Sequence, residues 1–244
     1  MSEPEVSVVE DPRPDLRYEV KMVCQATSHG KVVAHMRLDE SGLSELHKPR
    51  QVQSIYFDTI DGRALEENLS GISHREKIRF RWYGDERKIV RGHLEQKIRE
   101  NLLGWKHTLK IDKDIRVEGS NRTQFAKDVL GDLTGFWART RERHPMPVQW
   151  ISYKREYYST SDNLVRVTLD RELETFDLRK RFLLSAQHPT PMPKLLIVEA
   201  KCAAENFEEA KRLINRLPLH IDKCSKFVLA SNPGEGPTSS ILPE

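Results

Sequence analysis

The chain has 244 residues, 32% of them charged, yet its formal net charge is only +3. That length suits one large domain or two small ones with a real core. So balanced a charge argues against a protein held to nucleic acid by bulk charge alone, and any strong field must come from local sorting.

The N-terminal MSEPEVSVVEDPRPD is acidic and proline-bearing, the reverse of a signal peptide. Residues 1–14 and 232–244 read as flexible tails around one domain of 15–231. A strand is expected over 17–24, then a helix over 31–47 with Val32, Val33, Met36, Leu43 and Leu46 on an imperfect apolar face. Strands follow at 53–58, 76–83, 92–99 and 105–111. A second helix, 122–138, spaces Phe125, Val129, Leu133 and Trp137 four apart. Strands at 150–158, 164–172 and 195–202 precede a third helix, which opens at Asn206 with Glu209 as a capping partner and stops at Pro218. Cys24, Cys202 and Cys224 include no CxxC pair, which favours reduced thiols over a disulfide framework or zinc site. No apolar run approaches the roughly 18 residues of a membrane span. A soluble cytoplasmic protein is the expectation.

The strands share one peculiarity. In KIRFRW, alternation places Lys77, Arg79 and Arg81 on one face and Ile78, Phe80 and Trp82 on the other. An all-cationic face needs either solvent or an anion. Five more strands repeat the pattern: RYEVK groups Arg17, Glu19 and Lys21; LEQKIR groups Glu95, Lys97 and Arg99; WKHTLKI groups Lys106 and Lys110; VRVTLDRE groups Arg166, Asp170 and Glu172; and LLIVEAK groups Glu199 and Lys201. Three helices cover only part of a flat sheet, whereas an antiparallel barrel removes exposed edges and creates two distinct faces. Pattern alone leaves open whether charges face out or in. Clustered arginine and lysine with isolated glutamates is, however, a mixture suited to phosphates and a divalent metal.

Eight short motifs in order carry a resemblance: RYEVK (17–21), SIYFDT (54–59), KIRFRWYG (77–84), LEQK (94–97), YKREYY (153–158), VRVTLDRE (165–172), VEAK (198–201) and CSKF (224–227). Together they resemble the VTC (vacuolar transporter chaperone) polyphosphate polymerase domains of the triphosphate tunnel metalloenzyme superfamily. The resemblance implies an α+β fold, an antiparallel β-barrel tunnel with helices outside and the charges turned inward. It implies transfer of the γ-phosphate of ATP to inorganic polyphosphate or a pyrophosphate primer, with Mn²⁺ or Mg²⁺ as cofactor and no nucleic acid partner. By the same resemblance Arg79, Arg81, Lys97, Arg155 and Glu199 are the catalytic candidates. Lys21, Lys77, Lys110, Arg166, Lys201, Lys223 and Lys226 are the substrate-binding candidates, with Lys106 an alternative to Lys110. Glu199 and Glu19 are the candidate metal ligands. For Arg155 a surface pair with Glu156 stays open, as does a structural pair with Lys201 for Glu199.

Two departures matter. Hydrolytic branches of the superfamily open on an ExExK strand, and here the first acidic position is Arg17, which favours a polymerase over a triphosphate hydrolase. A non-catalytic polyphosphate- or inositol-phosphate-binding module is the other alternative. Eukaryotic VTC polymerases also carry a regulatory domain and a membrane region, for which these 244 residues leave no room. No GxxxxGK[ST] loop, HRD or DFG signature is present.

Overall fold

The computed structural model describes residues 17–100, 103–222 and 224–231; the expected tails and Lys223 lie outside them. In chain order the elements are β1 (Arg17–Gln25), α1 (His29–Leu38), β2 (Ser44–Asp58), α2 (Arg63–Leu69), β3 (His74–Tyr83), β4 (Ile89–Glu100), β5 (Leu103–Arg116), α3 (Arg122–Leu130), α4 (Ala138–Arg143), β6 (Met146–Ser159), β7 (Val165–Asp177), β8 (Leu195–Ala203), α5 (Phe207–Arg216) and α6 (Lys226–Ser231). All eight strands join one antiparallel sheet in the order β1-β8-β7-β6-β2-β3-β4-β5.

That sheet is strongly curled. β4 stands six places from β1 in the order, which in a flat sheet is a separation of roughly 29 Å at about 4.8 Å per step. Yet Lys97 Nζ of β4 lies 2.9 Å from Glu19 Oε2 of β1. The edge strands β1 and β5 approach one another, but no backbone ladder joins them among the described residues. The fold is thus α+β with a rolled sheet and an unzipped seam, rather than the hydrogen-bonded barrel expected from the sequence.

Rolling sorts the two faces. On the outside, Ile55, Ile78, Phe80, Trp82, Leu94 and Trp150 pack beneath Phe125, Ala126, Val129 and Leu130 of α3. Val167, Leu169, Val198 and Ala200 lie beneath Val32 and Met36 of α1 and Ala210, Leu213 and Ile214 of α5. The concave face is charged, except at one end. There β8 changes from Glu199 and Lys201 to Ile197 and Leu195, and α6 settles onto the apolar part with Phe227, Leu229 and Ala230. Phe227 stacks on Tyr56 at 5.0 Å between ring centroids.

The helices differ from expectation for local reasons. α1 ends at Leu38, not at 47, because Ser41 donates from its N–H and Oγ to Asp39 Oδ1 and Gly42 turns at φ +62°. The residues beyond it form the exposed first half of β2. The stretch 122–138 breaks at Gly131; Asn121 caps α3 through the N–H groups of Thr123 and Gln124, and a 3₁₀ turn leads into α4. α5 ends before Pro218 as expected, but Asn206 makes no side-chain cap. The short helices α2 and α6 are additions. α2 is capped from a distance by Asp58, which accepts from the N–H groups of Ala64 and Leu65. Cys24, Cys202 and Cys224 are free thiols, and no helix among the described residues is long and apolar enough to cross a membrane.

Gly92 sits where β4 slips register against β5. A Cβ there would lie 2.4 Å from the Arg81 carbonyl oxygen and 2.8 Å from Phe80 Cζ. Gly92→Ala is therefore expected to destabilise the fold by about 1–3 kcal/mol, the usual cost of overpacking. Urea denaturation measures it, and an unchanged midpoint would show that β4 shifts freely.

Candidate functional site

The charged faces of β3 and β4 meet in register: Arg79 stands opposite Glu95 and Lys77 opposite Lys97. Glu95 is the hub. It accepts from Arg79 Nε at 2.7 Å and Lys106 Nζ at 3.0 Å, with Arg81 Nη1 at 3.5 Å. Burial pushes the Glu95 carboxyl up, but the three cations outweigh it and hold the group well below the usual range. The arginines are further positioned by neutral donors and acceptors. Arg79 donates to Tyr56 Oη at 3.0 Å, and Arg81 donates to Ser54 Oγ at 3.2 Å and Tyr153 Oη at 3.0 Å.

β1 and β8 supply the second cluster. Their ladder sets Lys21 opposite Glu199 and Glu19 opposite Lys201. Glu199 is reached by Arg155 and Lys201, each at 3.4 Å, and by Lys21 at 3.9 Å. Glu19 is shared by Lys21 at 3.1 Å, Lys97 at 2.9 Å and Lys201 at 3.8 Å. The two carboxyls adjoin. Burial opposes ionisation of both, yet the surrounding lysines keep both below the ordinary carboxylate range. Among the described residues no group of three or more His, Cys, Asp or Glu is arranged to hold a metal ion. The Glu19–Glu199 pair suits a hard divalent ion that takes its remaining ligands from phosphate and water.

A third cluster centres on Asp170, which is fully buried. Arg155 grips it with two bonds of 2.6 and 2.7 Å, and Lys226 from α6 reaches it at 2.5 Å. Burial raises its carboxyl, while Arg155 and Lys226 bring it down to about 2. Both cations also lie over the Tyr153 ring, at 5.4 and 5.0 Å.

Lys77 is the exception. Its ammonium donates to Ser225 Oγ at 2.9 Å and has no carboxylate within ion-pair distance among the described residues. Burial first, then Lys21, Lys97 and Arg75, push it well below an ordinary lysine, against a smaller pull from Glu19.

The sequence candidates therefore fall into three groups. Arg79, Arg81, Lys97, Arg155, Glu199, Lys21, Lys77, Lys201, Lys226 and Glu19 converge on the concave face. Lys110 pairs instead with exposed Asp112 at 2.5 Å, so Lys106 takes the inner place beside Glu95. Arg166 is exposed, opposite Lys201 and Ser159; Lys223 is not described. Arg155 pairs with Asp170 rather than Glu156, which is held by His29 and Arg171. The pair of Glu199 with Lys201 exists, within a larger network. Residues missed as candidates are Glu95, Asp170, Tyr56, Tyr153, Ser54 and Ser225. Glu95 and Asp170 lie on charged strand faces that the sequence shows; Ser54, Tyr56, Tyr153 and Ser225 lie within the motifs SIYFDT, YKREYY and CSKF, but nothing in the pattern marks their hydroxyls as partners of cations.

The sequence model of the VTC domain matches residues 13–232. No curated protein matches the chain. Among solved structures, the PH1819 protein from Pyrococcus horikoshii OT3 is similar at 13% identity and a TM-score of 0.46, covering 87% of this chain and 97% of its own. The family match spans all of the described residues, including each strand that carries the three carboxylate clusters, and on that evidence the chain belongs to the VTC domain family, which connects it with polyphosphate chemistry.

Proposed function

We propose that this protein is a polyphosphate polymerase that transfers the γ-phosphate of ATP to a growing polyphosphate chain within a basic tunnel formed by the rolled sheet. One observation carries the reading. Among the described residues the concave face gathers nine cations, Lys21, Lys77, Arg79, Arg81, Lys97, Lys106, Arg155, Lys201 and Lys226, around the four carboxylates Glu19, Glu95, Asp170 and Glu199, a positive excess largely withdrawn from water. Such an excess is costly in an empty protein and is relieved by a linear polyanion.

In the transfer, the bond from the γ-phosphorus to the β,γ-bridging oxygen breaks and a bond to a terminal oxygen of the acceptor forms, releasing ADP. The acceptor oxygen is already an anion, so no general base is required. Positioning and charge stabilisation carry most of the catalysis in such transfers. Arg79 and Arg81, held by tyrosine and serine hydroxyls, present planar donors to phosphate oxygens. Arg155 and Lys226 are fixed by Asp170, and Lys77 offers an ammonium with no carboxylate to release. Glu199 with Glu19 would hold Mn²⁺ or Mg²⁺, which supplies charge neutralisation on phosphate oxygens when bound.

Three expected outcomes test this reading. With ATP and Mn²⁺, purified protein should yield ADP and long chains, faster with pyrophosphate as primer; stoichiometric orthophosphate without chains would make it a hydrolase, and no turnover with tight polyphosphate binding would make it a binding module. Glu199→Gln should lower turnover at least about 10²-fold while tripolyphosphate binding persists; near-normal turnover with Mn²⁺ would remove Glu199 from the metal site.

Lys77→Met should raise the melting temperature of the empty protein and weaken polyphosphate binding. The same lysine also fixes a sign. In the empty protein its pKa lies below that of a free lysine, and a bound phosphate chain raises it, so binding takes up a proton between the two values. Affinity should therefore fall as pH rises through that window, and calorimetry in buffers of different ionisation enthalpy should detect the uptake. No proton uptake, or a lower melting temperature for Lys77→Met, would mean that Lys77 is structurally compensated.

A further inference from the structure

Beyond Arg155 the concave face runs on to an exposed end that is unlike its interior. Across the β2–β6 ladder Arg50 stands opposite Arg155 and Val52 opposite Tyr153, and Tyr83 of β3 stands opposite Val52. The Arg50 guanidinium lies 5.9 Å from the centre of the Tyr157 ring. The His47 ring meets Tyr157 edge-on at 5.7 Å. Tyr83 is 48% exposed, His47 and Arg50 are exposed, and Tyr157 is half-buried. Arg50 has no carboxylate within ion-pair distance among the described residues and faces a like charge across the ladder.

Burial raises the Tyr157 phenol; Arg155 and Arg50 pull it down, and Tyr83 and Tyr153 push it further up. The ladders set these residues along one face: His47 opposite Tyr157, Arg50 opposite Arg155, and Val52 flanked by Tyr153 and Tyr83. The Arg50–Arg155 pairing makes the stripe continuous with the cations of the concave face.

A phosphate chain presents only oxygens and is read by charge and hydrogen bonds. It has no use for aromatic faces. The interior tyrosines Tyr56 and Tyr153 spend their hydroxyls on Arg79 and Arg81 and are buried. The outer aromatics are open, and a guanidinium lies among them. Aromatic rings interleaved with arginine are the arrangement that accepts a planar base, by stacking and cation–π contact. The ligand that joins a planar base to a linear triphosphate is a nucleoside triphosphate.

We propose that Tyr157, Tyr83, His47 and Arg50 form the subsite for the base-and-sugar half of a nucleoside triphosphate, whose phosphates run inward past Arg155. This rests on the polymerase reading above and adds to it the end from which the nucleotide enters.

Calorimetry with the full chain and Mg²⁺ separates the two halves of the ligand, using ATP and inorganic tripolyphosphate as probes. Tyr157→Leu should weaken ATP about tenfold, the scale of losing one base stack, and leave tripolyphosphate within about twofold. Tyr157→Phe, which keeps the ring, should restore ATP binding. Tyr83→Ser, at a half-exposed position outside the buried core, should weaken ATP in the same selective manner and carries the test should Tyr157→Leu misfold. Unchanged ATP affinity in both variants, equal losses for both ligands, or Tyr157→Phe behaving like Tyr157→Leu would each overturn the subsite. If the unaltered protein binds neither probe, the polymerase reading itself falls, and the subsite falls with it.

Discussion

Turning the charged faces of six strands toward one another takes guanidinium and ammonium groups out of water, and the cost of doing so shapes the molecule. Glu95, Asp170, Glu199 and Glu19 are the counterweights, and each is placed by strand register rather than by a loop: Glu95 opposite Arg79, Asp170 opposite Arg155, Glu199 opposite Lys21, Glu19 opposite Lys201. Because alternation has a period of two, the same register that gathers these charges sends Ile78, Phe80, Trp82, Val167 and Val198 to the outside. There the hydrophobic effect is satisfied only where helices cover the sheet, which accounts for the positions of α1, α3 and α5. A one-residue slip in β3 would put Arg79 against the Phe125 side of α3 and a phenylalanine beside Glu95.

Compensation is deliberately incomplete. Carboxylates fix the cations in place and keep the empty protein folded, but their number falls short of neutrality. The cations of the concave face are therefore already oriented, with part of their charge uncompensated. α6, a helix seated on the concave face, adds to this. Its Phe227 and Leu229 bind it to the apolar end, and the same segment delivers Lys226 to Asp170 and Ser225 to Lys77. Core packing and the charged concave face share one short segment.

Much of this was legible in the sequence, and the failures have physical causes. Alternation in KIRFRW and its fellows identified both faces of the strands, because a period of two needs only four to six residues to register. It could not say which face is inside, since an inward charged face and a solvated one have the same pattern; curvature of the sheet decides that, and curvature is a long-range property. Lys106 and Lys110 share an alternation and flank Thr108, which stands opposite Glu95, so only the side-chain pairs distinguish them: Lys106 with Glu95, Lys110 with Asp112. α2 escaped notice because its cap, Asp58, comes from the end of β2 and because seven residues scarcely define a helical stripe. The helix expected over 31–47 failed at Asp39 and Gly42, where a side-chain turn overrides apolar spacing that Leu43 and Leu46 continue by coincidence. Tyr56 and Tyr153 were unreadable as site residues, since a buried tyrosine is ordinary until its hydroxyl is seen to hold an arginine.

The seam between β1 and β5 has a mechanical meaning. A closed ladder would fix the bore of the rolled sheet through backbone hydrogen bonds, whose lengths barely vary. Here, among the described residues, the span from β4 to β1 is tied by the ammonium of Lys97 and the carboxylate of Glu19, a contact whose strength depends on ionic surroundings. Along that line the width of the rolled sheet rests on a side-chain ion pair that salt screens, whereas each neighbouring pair of strands within the sheet is held by a backbone ladder.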